Sequence, residues 1–290
     1  MLFSKKIKSL FFVLSINLVC LLGMMGEAVG LPQNFQDESV VTGLNQPVNL
    51  ATLPDGRMLV LSKGGEIQIF DPSTIPAAAS NYMTIVNIES GEERGLANLV
   101  LDPDFATNNF FYVYYTHGST ARNRISRFSH LGNTGDIASE FMIWQDNENW
   151  SDCCHYGGGL DFGPDGKIYL TTGEEFDGSQ SPDLARAGGK ILRINKDGTI
   201  PTDNPFYDGA GPNLDEIWAF GLRNPYRAKW DILSEQFFIG DVGGNVQSTA
   251  REEINLGQAG RDYGWPSGEG VLNNPAYQDP IYDYDHSMRG

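Results

Sequence analysis

Apolar residues in this chain come in short runs, and the runs come in pairs. In four places a strand-length apolar segment meets a Pro, Asp or Gly turn and a second apolar or aromatic segment follows. These are NLATLPDGRMLVLSKGGEIQIFDP (49–72), GLANLVLDPDFATNNFFYVYYTHG (95–118), GGGLDFGPDGKIYLTTGE (157–174) and GLRNPYRAKWDILSEQFFIGDVG (221–243). Val, Ile, Tyr and Phe recur on both sides of each tight turn, which is the pattern of a β-hairpin. The turn aspartates Asp55, Asp102, Asp165 and Asp231 are spaced by 47, 63 and 66 residues, room for a four-stranded unit with loop insertions. Repetition of this kind predicts an all-β propeller over a two-sheet sandwich. No long stretch shows helical periodicity with caps, and one short helix is expected near Asp183–Gly188. Residues 31–290 hold four to five such units and reach DYDHSMRG without a closing strand. A propeller avoids long bare edges only when its ring closes. The expected domain therefore spans 31–290 with its last blades missing.

Charge narrows the partners. Lys and Arg total 20 against 37 Asp and Glu, a formal net charge of −17. Nucleic acid and anionic membrane surfaces select basic patches, so neither is expected as a partner. The first thirty residues read as an export signal rather than as part of the fold. Lys5, Lys6 and Lys8 precede an apolar run from Leu10 to Leu22, and Ala28-Val29-Gly30 supplies small residues for cleavage. That run is short for a membrane span of about 20 residues. A secreted or periplasmic protein, with no membrane insertion after cleavage, is the expectation. Beyond the signal only Cys153 and Cys154 remain. Neighbouring Cα atoms lie about 3.8 Å apart, below the usual disulfide span of about 4.4–6.8 Å. A vicinal disulfide and two reduced thiols in a packed turn both stay open.

Four histidines limit the acid–base chemistry. His155 stands just before a Gly-rich segment that starts a strand, a place where a side chain reaches a loop mouth. His117, His130 and His286 have no such setting and read as ordinary polar positions. Glu174, at the far end of the same hairpin, can return to His155 and fix its tautomer. Arg223 and Asn224, in GLRNP, offer a guanidinium fork and an amide for an oxygen that gains negative charge. No Gly-x-Ser-x-Gly elbow or His-Glu-x-x-His motif supports a hydrolase.

Four segments, taken together and in order, resemble the soluble quinoprotein sugar dehydrogenases of the glucose/sorbosone dehydrogenase type. They are HYGGGLDFGPDGKIYLTTGE (155–174), GGKILRINKDGTIPTDNPF (188–206), EIWAFGLRNPYRAKWD (216–231) and EEINLGQAGRDYGWPSGEG (252–270). The resemblance implies a six-bladed propeller that uses pyrroloquinoline quinone (PQQ) and calcium (Ca2+) to oxidise an aldose at its anomeric carbon. Electrons would pass on to an external acceptor, a quinone or another. It implies His155 as the base, Glu174 as the acid that orients it, and Arg223 with Asn224 on the cofactor. Calcium would take backbone carbonyls after the GLRNP hairpin, here Gly243 and Gly244, with Asp241 as a nearby acceptor. Glu93 matches a polar residue of the substrate pocket, and Glu252 and Glu253 read as surface charge, with a second, structural calcium site as the alternative. Two features depart from the family pattern. GLANLVLDPDF replaces the usual GLLGLAFDPDF, and Cys153-Cys154 precedes the base, where an oxidised pair would form part of the cofactor platform. The family's further Lys and Arg ligands come from last blades that this sequence lacks, which would leave the pocket open on one side. The alternative is a propeller that only binds, hedgehog-interacting-like or carbohydrate-binding, since a fold does not settle a chemistry.

Overall fold

A computed structural model describes residues 35–149 and 153–287. The export signal expected over 1–30 lies outside them. Backbone contacts divide the chain after Ser39, and residues 35–39 carry no regular element. The strands, the core and the candidate site all belong to the unit that begins at Val40.

Among the described residues, sixteen strands form four sheets of four. The first holds β1 (Pro47–Thr52), β2 (Met58–Ser62), β3 (Glu66–Phe70) and β4 (Ser80–Thr84). The second holds β5 (Leu96–Leu101), β6 (Phe110–His117), β7 (Arg122–His130) and β8 (Gly135–Gln145). The third holds β9 (Leu160–Phe162), β10 (Ile168–Thr172), β11 (Lys190–Ile194) and β12 (Ile217–Phe220), and the fourth β13 (Pro225–Asp231), β14 (Gln236–Asp241), β15 (Arg251–Leu256) and β16 (Tyr282–Asp285). Each sheet is an antiparallel meander in chain order. The first strands of successive sheets touch, β1 to β5, β5 to β9 and β9 to β13. Meanders that meet along their first strands are propeller blades, so the four sequence hairpins open four blades.

The run FFYVYY shows why the blades stack. Side chains alternate across a strand. Phe111, Val113 and Tyr115 of β6 pack with Leu59, Leu61 and Ile67 of the first blade. Tyr112 and Tyr114, one residue out of phase, pack with Leu160, Leu170 and Leu192 of the third. The third and fourth blades share a further core, in which Tyr169 meets Trp218, Trp230 and Phe237 ring to ring. A strand buried on both faces reads as a continuous apolar run.

The helix expected near Asp183–Gly188 is absent. Asp183 accepts the Ala185 N–H through its side chain and the Arg186 N–H through its carbonyl, a turn rather than a helical ladder. The helical pieces among the described residues are single turns, α1 (Phe105–Asn108) and a 3-10 turn at Gly178–Gln180. No helix among them is long and apolar enough to cross a membrane.

Asp146, just past β8, shows what a buried carboxyl does here. Burial pushes it up to about 6 from 3.8, although it accepts the Glu148 N–H. The folded state therefore holds its proton more tightly than the unfolded chain. That contribution is full at low pH and disappears as pH rises through about 6. Asp146→Asn is expected to stabilise the protein by ~2–3 kcal/mol at pH 8 and to change it little at pH 4, read from urea unfolding at both. Equal effects at the two pH values would overturn this account.

Candidate active site

Four loops meet at one end of the third and fourth blades: 153–159 before β9, 173–189 after β10, 221–224 before β13 and 242–250 after β14. His155 sits in the first with a left-handed backbone (φ 64°). Three contacts hold it there. Its N–H donates to Glu93 Oε2 at 2.8 Å, its carbonyl accepts the Glu175 N–H at 3.1 Å, and Gly173 lies flat beneath that carbonyl. A Cβ on Gly173 would stand 2.1 Å from the His155 oxygen, so the TTGE turn needs its glycine. Glu175 and Phe176 also have left-handed backbones, and the Phe176 ring, 49% exposed, lies 5.0 Å from the imidazole. Three such non-glycine residues in one place mark a site where structure over-determines strained geometry.

The imidazole is 5% exposed and has a partner on each nitrogen. Nδ1 lies 2.6 Å from Glu174 Oε1, and Nε2 lies 2.9 Å from Arg223 Nη2. A guanidinium only donates, so Nε2 must accept. The ring proton is then on Nδ1 and donates to Glu174. Hydrogen-bond logic alone thus assigns one tautomer, with its lone pair on Nε2. Glu174 is 2% exposed, and its Oε2 has no hydrogen-bond partner, so His155 is the side-chain contact that carboxylate makes.

Arg223 and Asn224 are fixed from below by Asp241. Its two carboxylate oxygens accept the backbone N–H groups of Arg223 (2.9 Å) and Asn224 (2.7 Å). Burial, with Glu253 nearby, pushes Asp241 up to about 8. Asp241, the acceptor expected near a calcium, thus also holds the turn that aims the Arg-Asn pair. Gly243 and Gly244 follow it and offer a cation main-chain carbonyls alone. Among the described residues no three His, Cys, Asp or Glu side chains gather to hold a metal. Glu253 corrects the reading of surface charge. It is buried, it accepts the Gly270 N–H and the Asn255 amide, and burial raises its carboxyl. Glu252 is half-buried and pairs with His286.

A cavity of about 380 Å³ adjoins these groups, lined by Lys63, Glu93, Tyr114, Tyr156, Asn224 and Tyr226 among others. Glu93 therefore reaches the pocket, as its sequence context suggests, and also anchors the His155 backbone. Cys153 and Cys154 form a disulfide, and the Cys153 carbonyl accepts the Glu93 N–H at 3.3 Å. The knuckle is thus clasped by Glu93 from both ends. Lys63 escapes sequence reasoning because it comes from the first blade with no site motif around it, and Tyr226 because it lies inside GLRNPYRAKWD, where the Arg-Asn pair draws the chemistry. Tyr156 and Phe176 stand next to residues that the motifs single out, and adjacency was their available signal.

A family profile described as glucose / sorbosone dehydrogenase matches residues 44–287. The chain is 30% identical over 246 residues to an uncharacterised protein of Synechocystis, covering 78% of this chain and 58% of that one, so it spans little more than half of that relative's length. It is 27% identical over 267 residues to the aldose sugar dehydrogenase YliI of Escherichia coli, covering 91% of this chain and 69% of YliI. Among solved structures, the PQQ-bound aldose sugar dehydrogenase of Streptomyces coelicolor superposes with a TM-score of 0.72 at 29% identity, over 86% of this chain and 70% of that one.

Proposed function

The chain belongs to the glucose/sorbosone dehydrogenase family, and from that membership we propose that it is an oxidoreductase that oxidises an aldose at its anomeric carbon with PQQ as cofactor. The observation that carries the reading is His155 held between Glu174 and Arg223, lone pair on Nε2, beside a cavity of ligand size whose lining includes its chain neighbours Tyr156 and Gly157 and its backbone partner Glu93. Small-molecule sites occupy about 300–1,000 Å³, and this one falls within that range. Its residues suit a flat, acidic heteroaromatic group. Tyr114, Tyr156 and Tyr226 give aromatic surface, Lys63 a cation and Asn224 an amide, with the Arg223 guanidinium alongside.

A bound quinone would supply the two-electron acceptor for the C1 hydrogen of the sugar, removed as hydride. The protein manages the proton. A substrate hydroxyl takes the place of Arg223 Nη2 at His155 Nε2 and gives its proton to that nitrogen. C1–H and O–H bonds break, a carbonyl forms, and the sugar leaves as a lactone. Glu174 stabilises the imidazolium through Nδ1–H. Arg223, released from Nε2 and still tied to the Val242 carbonyl and Asn245, turns its fork to oxygen that gains negative charge. Glu93 lies where a sugar hydroxyl can reach its carboxylate. Calcium is part of the proposal through the Gly243 and Gly244 carbonyls, which are hard oxygen ligands. Such an ion takes about 6–8 oxygens, so cofactor and solvent would supply the rest, and no step is assigned to it.

We further propose that the four blades belong to a six-bladed ring and that the protein is exported. In support of the first, the outer face of the first blade keeps an apolar hollow lined by Val41, Leu44, Val48, Leu50, Met58 and Phe70, where another blade would pack.

The test is titration of the purified protein with PQQ and calcium, followed by cofactor absorbance, then dye reduction with a panel of aldoses. Saturable binding and sugar-dependent dye reduction are expected. Binding without sugar oxidation, or no binding by a folded protein, would move the reading to a propeller that only binds.

A further inference from the structure

Lys190, the first residue of β11, is fully buried, and none of its hydrogen-bond partners is a carboxylate. Its Nζ donates to the carbonyls of Gln180 (2.7 Å), Ser181 (3.0 Å) and Gly188 (2.6 Å). Only an ammonium has three protons for three carbonyls. Asp183, Arg186 and Asp262 are the charges that bear on it, and burial pushes its pKa down to about 7. A buried cation solvated by backbone is costly, and such groups cluster where function needs them.

The three carbonyls lie near the two ends of the segment 180–188, and that segment touches both partners of the imidazole. Gln180 donates its side-chain amide to the Glu174 carbonyl at 3.0 Å. Ser181 donates its hydroxyl to the Leu222 carbonyl at 2.7 Å and accepts the Gly221 N–H at 3.2 Å, one and two residues before Arg223. Glu174 in turn donates its N–H to the Arg223 carbonyl at 2.9 Å, which closes the circuit. We propose that Lys190 is a positioning residue of the active site: its ammonium ties down the 180–188 segment, which sets Glu174 and Arg223 on opposite sides of His155. It touches none of the reacting groups and acts through the loop.

The proposal rests on His155 as the base, but its test does not require turnover. Side-chain 15N spectra of the cofactor-free protein report which imidazole nitrogen carries the proton. In the parent, His155 is expected to show Nδ1–H alone. Lys190→Met, which keeps volume and removes the charge, is expected to give averaged signals from both tautomers. Gln180→Met, which cuts the link to Glu174 without touching the amine, is expected to do the same, so the test survives if the lysine variant fails to fold. Leu59→Ala, a destabilising change in the first blade, is expected to leave the single tautomer intact. In turnover with an aldose, both loop variants are expected to lose about tenfold in kcat with KM within twofold. A single Nδ1–H tautomer in Lys190→Met and Gln180→Met would overturn the positioning role whatever the enzyme's activity. No turnover in the parent, with averaging in both variants, would instead overturn only the dehydrogenase reading.

Discussion

His155→Ala is expected to lower sugar-dependent quinone reduction by about a thousandfold, the middle of the range for losing a general base. The residue is the group in this site whose ring nitrogen, Nε2, holds a lone pair that a substrate hydroxyl can take over from Arg223, and nothing nearby replaces it. Glu93 is the nearest carboxylate on the cavity, and its Oε2 is engaged with the His155 backbone N–H, a contact the alanine variant keeps. Quinone affinity should change little, because Asn224, Lys63 and the tyrosines stay in place. Arg223 loses one acceptor but keeps the Val242 carbonyl and Asn245. The variant separates two readings of a buried histidine. A structural role would lower the melting temperature and leave kcat proportional to folded protein. The base role lowers kcat in fully folded protein. Stopped-flow reduction of the bound quinone at saturating sugar measures the step directly, and a residual rate above a tenth of the parent would remove His155 from the reaction.

The fold was legible because each blade announces itself locally. A β6 strand of FFYVYY must be covered on both faces, and the tight turns at Pro54-Asp55-Gly56 and Pro164-Asp165-Gly166 fix where neighbouring strands reverse. The meeting of His155, Glu174 and Arg223 was legible for a related reason, since His155 and Glu174 flank one hairpin and Arg223-Asn224 opens the next. What sequence could not supply is how a side chain spends its hydrogen bonds. Asp241 sits in a motif that suggests a metal, and nothing in that motif shows that its two oxygens also accept the Arg223 and Asn224 N–H groups. Glu253 looks like surface charge in a run of charges, yet the loop at Gly270 closes over it. Lys190 lies in a motif, GGKILRI, whose strand character is plain, while the three carbonyls that give the lysine its role come from a loop with no periodicity at all. The helix expected at 183–188 fails at the same place. Local patterning favours a turn of helix there, whereas Asp183 accepts the Ala185 and Arg186 N–H groups in a turn and the Ala187 carbonyl accepts from the Thr172 hydroxyl.

Glu174→Gln is expected to cost nearly as much as losing the histidine, although it removes no volume and leaves the hydrogen bond possible. The reason is the tautomer. An ionised glutamate only accepts, so Nδ1 must carry the proton and Nε2 must face Arg223 bare. An amide can present its NH2 to Nδ1 instead. The imidazole then accepts there and carries its proton on Nε2, where it meets the Arg223 N–H as donor against donor and has no lone pair for the sugar hydroxyl. A comparable acid-to-amide change behind a catalytic histidine lowers kcat by about 10^4 in the serine proteases, through the same error of tautomer. Glu174 also offsets the imidazolium that forms in the transition state, and glutamine cannot. Glu174→Asp keeps the charge and is expected to retain a substantial part of the rate, so the pair of variants distinguishes charge and tautomer from mere packing. Imidazole 15N spectra should show Nε2–H in the glutamine variant and Nδ1–H in the parent. Full activity in Glu174→Gln with an unchanged tautomer would mean that Arg223, by denying Nε2 a proton, is sufficient on its own to hold the base in its working form.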